Sequence, residues 1–126
     1  MKQCFLTRRG PKAIGPYSTA VISDGLCFLS GMVPVDPATG RLAAQDIRGQ
    51  ARQAFENIQT VLEELELSMA DILKTTVFLT DLGAFGAVNE IYAEYFGPDC
   101  PARSCVQVSA LPMGAMIEVE AVASLK

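Results

Sequence analysis

MIEVEAVA, residues 116–123, is a stretch of strict two-residue alternation close to the C-terminus. Residues two apart share one face of a β-strand, so Glu118 and Glu120 point the same way. The opposite, apolar face consists of Ile117, Val119, Ala121 and Ala123. Two carboxylates among apolar residues are more than a solvated edge normally requires. One of them can neutralise an arginine, which leaves the other available for acid/base chemistry.

A second β-prone stretch, PARSCVQV at 101–108, carries an arginine. Arg103 shares a strand face with Cys105 and Gln107, and the apolar character of the stretch predicts a central strand. A buried guanidinium without a partner is costly, and its planar fork suits a carboxylate. Two alternatives follow for Arg103: a structural ion pair with Asp or Glu, or a pocket for an anionic ligand.

The remaining elements follow from turn residues and apolar spacing. Asp24-Gly25 between two β-prone runs predicts a hairpin. Apolar residues at three- and four-residue spacings predict helices at about 46–65 and 82–96. Residues 72–79 are β-branched and predict a strand, whereas 34–40 has the composition of a turn-rich loop.

With a first strand at 3–7, these elements predict the order β-ββ-α-β-α-β-β, an α+β protein built on a single mixed β-sheet. Two right-handed crossovers that move the same way place both helices on one face. The other face is then bare, although strands 26–30 and 72–79 are apolar on both sides, which favours cover by another subunit. The length of 126 residues predicts one domain over 1–126.

Composition excludes several classes of protein. The net charge of −4 argues against nonspecific nucleic-acid binding. Histidine is absent and the four cysteines form no C-x-x-C pair, so metal sites and Ser-His or Cys-His catalysis lose their usual residues. The polar start, without a secretory signal or an apolar run of membrane-spanning length, predicts a cytoplasmic protein with reduced thiols.

Several motifs resemble those of the Rid (YjgF-type) family of reactive-intermediate, or enamine/imine, deaminases. They are PARSCV at 101–106, ALP at 110–112, IEVEA at 117–121, AIGPYS at 13–18, LSG at 29–31, TVFLTDL at 76–82 and VNEIY at 88–92. Their occurrence together and in order is more specific than any single motif. The resemblance implies a chorismate-mutase-like fold and a homotrimer with sites in clefts between subunits.

The resemblance also implies a reaction: hydrolysis of 2-imino acids such as 2-iminopropanoate and 2-iminobutanoate to 2-keto acids and ammonia, without metal or cofactor. In that family pattern, Arg103 corresponds to the arginine that binds the substrate carboxylate and Glu118 to the glutamate that activates water. Five further residues match substrate-binding positions: Tyr17, Ser30, Gly31, Asn89 and Cys105.

Two residues depart from the family pattern. Met32 follows Ser30-Gly31 where many members have glutamine, and Met113 replaces a lysine common after Leu-Pro. Both changes could alter which side chain the imine carries. Two other functions compete with the deaminase: a noncatalytic trimer that senses small carboxylates through Arg103, and an endoribonuclease or translation inhibitor. The acidic composition and the lack of histidine weigh against the last.

Overall fold

A computed structural model describes residues 1–125, over which the chain forms eight strands and two α-helices. The strands are β1 (Gln3–Phe5), β2 (Ala20–Ser23), β3 (Leu26–Met32), β4 (Val35–Asp36), β5 (Arg41–Leu42), β6 (Ile72–Leu79), β7 (Ala102–Gln107) and β8 (Ile117–Ser124). The helices are α1 (Ile47–Glu64) and α2 (Phe85–Phe96). Within residues 1–125, neither helix combines the length and apolarity needed to cross a membrane.

Six strands form one sheet in the order β1-β2-β3-β8-β6-β7. β6 and β7 are parallel and the other neighbours are antiparallel, so the prediction of an α+β fold on a mixed sheet is confirmed. β8, which carries the alternating pattern, lies in the centre. β7 lies at the edge, so the prediction that it is central was wrong. The short connection from β6 through α2 returns the chain directly beside β6, and the sheet ends there.

Local signals set most element boundaries. Asp24 and Gly25 turn the β2–β3 hairpin with φ of 51° and 77°, the left-handed geometry expected of a two-residue hairpin loop. Asp46 caps α1 by accepting a hydrogen bond of 3.2 Å from the backbone N–H of Gly49. The predicted loop at 34–40 was only partly correct, because β4 pairs with β5 in a short second sheet.

The core lies between the helices and one face of the sheet. Phe55, Ile58 and Leu62 of α1 are fully buried, as are Ile117 and Val119 of β8. The alternating pattern of β8 explains this packing, because every second residue points toward the helices. Both helices therefore cover the same face, as predicted.

The opposite face of the sheet, here called the open face, is not covered by either helix of the described residues. It presents Phe28 and Val106, which are 45% and 42% exposed. Phe78 and Glu118 pair across β6 and β8 on this face, and Thr76 pairs with Glu120 beside them. The open face thus combines large apolar side chains with both glutamates of β8.

Candidate active site

Glu118 lies at a cavity of about 260 Å³ on the open side of the molecule. The cavity is lined by Ile14, Tyr17, Ser30, Gly31, Val33, Pro112 and Glu118. β8 brings Glu118 to this place, and the β3–β8 register shifts between Leu29 and Met32, where Ser30 and Gly31 stand. Such an irregularity re-aims local side chains and is common next to active sites. Four predicted site residues (Tyr17, Ser30, Gly31 and Glu118) therefore meet at one cavity.

The Glu118 carboxyl has a raised pKa. Its partial burial is the larger cause, and the negative charge of Glu120 on the same strand face adds to it. A carboxylate that is costly to ionise binds a proton more readily than an ordinary glutamate. This tuning suits a group that takes a proton from water and returns it later.

Gly31 lies directly against the Glu118 side chain. A Cβ atom built at Gly31 would lie 2.7 Å from Glu118 Cδ and would overlap Oε2. The Glu118 side chain therefore occupies the space that a side chain at position 31 would need. The overlapping atoms belong to the far end of a flexible side chain, so a larger residue would displace the carboxylate before it displaced the backbone.

Gly31→Ala is accordingly expected to keep the fold and to displace the Glu118 carboxylate. A misplacement of about 1 Å can cost a hundredfold in a reaction that uses the displaced group, so a predicted catalytic role for Glu118 predicts a loss of at least about tenfold in kcat/KM. Turnover and thermal melting of the purified variant measure the two effects. Gly86→Ala is the matched control, because a Cβ at this helical glycine meets no atom within 4 Å. Wild-type turnover in Gly31→Ala would show that the position of Glu118 is irrelevant to the reaction.

The loop that carries Tyr17 is anchored at several points. The Ser30 hydroxyl donates a hydrogen bond of 2.7 Å to the carbonyl of Ser18, and the Ser30 N–H donates one of 2.9 Å to Thr19. At the start of the loop, the Glu64 carboxylate accepts hydrogen bonds from the Thr7 hydroxyl and from the Arg8 N–H. Burial raises the pKa of Glu64, but these hydrogen bonds outweigh it and the pKa is lowered.

Arg103 forms a second cluster with α2. Its Nη1 donates a hydrogen bond of 2.7 Å to Oδ1 of Asn89. The guanidinium carbon lies 4.8 Å from the ring centroid of Tyr92 and 5.2 Å from that of Phe85. Rings hold a guanidinium by its faces, which leaves donors on its edge free for a carboxylate. Cys105 follows on the same face of β7.

No carboxylate neutralises Arg103 within residues 1–125. The three ion pairs of the described chain join Arg9 to Glu63, Arg48 to Glu90 and Arg52 to Glu94. The alternative of a structural ion pair for Arg103 is therefore wrong for residues 1–125. A half-buried, oriented cation without a counter-charge in this part of the chain favours the other alternative, a site for an anionic group.

Packing beneath the guanidinium holds this arrangement. The Tyr92 hydroxyl and the Thr75 hydroxyl share a buried hydrogen bond of 2.7 Å. Burial raises the pKa of Tyr92, while this hydrogen bond and the charge of Arg103 oppose the rise. Burial also raises the pKa of the Cys105 thiol, despite the nearby Arg103 charge, so Cys105 lacks the lowered pKa of a reactive thiolate.

The two clusters lie on opposite faces of the sheet. Thr75 of β6 pairs with both Arg103 and the buried Ala121, so Arg103 faces the helices. Phe78, three residues further along β6, pairs with Glu118 on the open face. Arg103, Asn89 and Cys105 thus form one half-site, and Glu118, Tyr17, Ser30 and Gly31 form another. Among the described residues, the sheet lies between these two clusters.

Phe85 and Tyr92 lie in the predicted helix at about 82–96 and were not among the predicted site residues. In the structure they also stack on Arg103. The signal was present, because Phe85, Asn89 and Tyr92 follow the i, i+4, i+7 spacing of one helix face. What sequence lacked was the location of β7 beside β6, under that face.

The fold and the two half-sites define a class: a small α+β protein with an arginine that makes no ion pair within residues 1–125 on one face of its sheet and a half-buried glutamate on the other. The family model described as Endoribonuclease L-PSP matches residues 7–125. The chain therefore belongs to this family, which includes the Rid (YjgF-type) proteins.

Three relatives illustrate the similarity. The human 2-iminobutanoate/2-iminopropanoate deaminase is 42% identical over 123 residues, 98% of this chain and 90% of that protein. A Rid family protein from Yersinia pestis matches with a TM-score of 0.95 and 44% identity, over 99% of this chain and 100% of that one. Escherichia coli TdcF with bound serine matches with a TM-score of 0.91 and 41% identity, over 98% and 99%. The family thus includes deaminases, and the predicted family membership is confirmed.

Proposed function

We propose that this protein hydrolyses reactive 2-imino acids and their enamine tautomers to 2-keto acids and ammonia. The observation that carries the proposal is Arg103, an oriented cation without a carboxylate partner among residues 1–125. Its free edge matches a substrate carboxylate in a bidentate way. The human relative whose name gives this activity supports the same substrate class.

Glu118 supplies the proton chemistry. The carboxylate takes a proton from water as the water oxygen bonds to the carbon of the protonated imine, and the C=N electron pair moves onto nitrogen to leave a neutral amine. Glu118 then gives its proton to that nitrogen, the carbon–nitrogen bond breaks as the hydroxyl oxygen forms the carbonyl, and Glu118 takes up the hydroxyl proton, so that ammonia and a 2-keto acid remain. Water and imine are consumed one for one, so the reaction needs no oxidant or reductant. Proton transfer of this kind contributes about a hundred- to ten-thousand-fold in rate.

The site is proposed to lie between subunits of a homotrimer. The carboxylate carbon and the imine carbon of a 2-imino acid are bonded to each other, so Arg103 and Glu118 must approach within one small molecule. Within one chain the sheet separates them. Arg103 lies on the edge strand β7, where its half-site can reach a neighbouring copy, and the exposed Phe28 and Val106 provide an apolar face for contact.

Ammonia release from 2-aminoacrylate tests the activity. A dehydratase acting on serine generates this compound in situ, and the protein should accelerate formation of ammonia and pyruvate above the rate in buffer. Unchanged product formation at all protein concentrations would exclude the deaminase. Binding of 2-keto acids without any turnover would instead support a carboxylate sensor that uses Arg103 alone.

Mixing two inactive variants tests the shared site. Light scattering should first give about three times the 13.5 kDa chain mass. After subunit exchange, an equal mixture of Arg103→Ala and Glu118→Gln should recover about one quarter of wild-type activity, because that fraction of cyclic interfaces combines both intact residues. Each variant mixed with itself is the control. A mixture that exchanges subunits yet stays inactive would place the whole site within one chain.

A further inference from the structure

A second cavity lies beside the one at Glu118. It has a volume of about 340 Å³ and shares Ile14, Tyr17, Ser30, Gly31 and Val33 with the smaller cavity. Its further lining is mostly apolar, with Pro11, Met32, Val35, Gly40 and Met113, and also includes the polar residues Lys12 and Thr19. We call this space the apolar chamber. Because the two cavities share five lining residues, a molecule bound at Glu118 has this space directly beside it.

Met113 is held at the chamber by an unusual backbone. Its φ is 62°, which is uncommon for a residue with a side chain, and Gly114 follows with φ of 71°. This turn leads directly into β8, the strand that carries Glu118. The turn therefore ties the direction of the Met113 side chain to the strand that positions the carboxylate. Methionine is flexible and apolar, so it adapts to ligands of different shape.

The size and polarity of the chamber indicate its occupant. A water molecule occupies roughly 30 Å³ in the liquid, so the chamber volume of about 340 Å³ has room for about ten non-hydrogen atoms. An imine derived from alanine offers only a methyl group. Because most of the lining is apolar, a polar side chain would lose water there and regain few hydrogen bonds, which is unfavourable.

We propose that the preferred substrates are 2-imino acids with long apolar side chains, such as those formed from leucine, methionine or phenylalanine, and that Met113 and Val33 determine this specificity. The inference rests on the proposed deaminase function. The carboxylate and imine occupy the shared site, and the side chain occupies the apolar chamber. Each buried methylene gives about a fourfold gain in affinity, which accumulates over a leucine side chain.

Hydrolysis of imines generated in situ by an amino-acid oxidase tests the proposal. The kcat/KM for the leucine-derived imine should exceed that for the alanine-derived imine by about tenfold or more. Equal values, or a preference for the alanine-derived imine, would overturn the chamber's role and leave the deaminase function intact. If neither imine is hydrolysed, the deaminase function fails. Calorimetric binding of 4-methyl-2-oxopentanoate and of pyruvate then tests the chamber separately. If the chamber accepts an apolar side chain, 4-methyl-2-oxopentanoate should bind more tightly than pyruvate.

Two variants link the preference to named residues. Met113→Lys places a charge at the chamber, and Val33→Phe fills it from a half-buried position. Both should lower the ratio of leucine-derived to alanine-derived kcat/KM by about tenfold. Leu6→Lys is the matched control for the first, since Leu6 is 63% exposed and does not line the chamber. An unchanged ratio in both folded variants would contradict the assignment.

Discussion

Glu118→Gln is expected to lower kcat by at least about a hundredfold, since glutamine keeps the shape of the side chain but removes general base catalysis. Binding of 2-keto acids should remain, because the substrate carboxylate is proposed to contact Arg103. Turnover at saturating substrate, together with calorimetric binding of pyruvate, measures both effects. Near-normal turnover in a folded Glu118→Gln protein would remove Glu118 from the mechanism.

The same substitution is expected to leave the melting temperature unchanged or higher at neutral pH. The raised pKa of Glu118 means that the folded state disfavours its ionised form more than the unfolded state does. This glutamate therefore favours folding below its ordinary pKa, and the favourable contribution is lost as the pH rises through the folded value. Neutral glutamine avoids that loss. A stability gain with an activity loss is the pattern expected of a functional residue.

Glu120→Gln is the matched control on the same face of the strand. It should retain turnover, because Glu120 is exposed and is not among the residues lining the Glu118 cavity. Since the charge of Glu120 contributes to the raised pKa of Glu118, the acidic limb of the kcat/KM profile should move to lower pH in this variant. If the acidic limb of the kcat/KM profile stays at the same pH, a group other than Glu118 controls it. Loss of turnover in Glu120→Gln alone would reverse the two roles.

Arg103→Lys is expected to weaken binding of 2-keto acids by about ten- to a hundredfold, the range for losing one hydrogen bond between charged groups. Lysine keeps the charge but not the planar fork, so it lacks the flat guanidinium that stacks on the rings of Phe85 and Tyr92. Calorimetric titration with pyruvate gives the dissociation constant, and thermal melting shows whether the fold survives.

Arg52→Lys is the control for this change. Arg52 makes two hydrogen bonds to Glu94, of 2.7 and 3.1 Å, on the exposed surface of the helices. It belongs to neither half-site. Because exposed ion pairs contribute little, this variant should bind 2-keto acids like the wild type and melt at nearly the same temperature. Wild-type affinity in Arg103→Lys would show that the site needs a positive charge but no defined geometry.

Local chemistry made much of the fold predictable. The Asp24-Gly25 turn, the Asp46 cap and the alternation in 116–123 each depend on near neighbours in sequence, and the structure contains the hairpin, helix α1 and strand β8 that they indicate. The β4–β5 pair was missed, because two-residue strands carry too little pattern to distinguish them from turns.

The sequence by itself determined which residues share a face within each strand, and its motifs determined the family. It could not determine which faces of different strands lie on the same side of the sheet, because alternation within one strand contains no information about which strands lie beside it. Only the tertiary structure placed β7 at the edge beside β6, turned Arg103 toward α2 and left Glu118 on the open face. The physical reason is that strand order and direction follow from packing of helices on the sheet, which joins residues far apart in the chain.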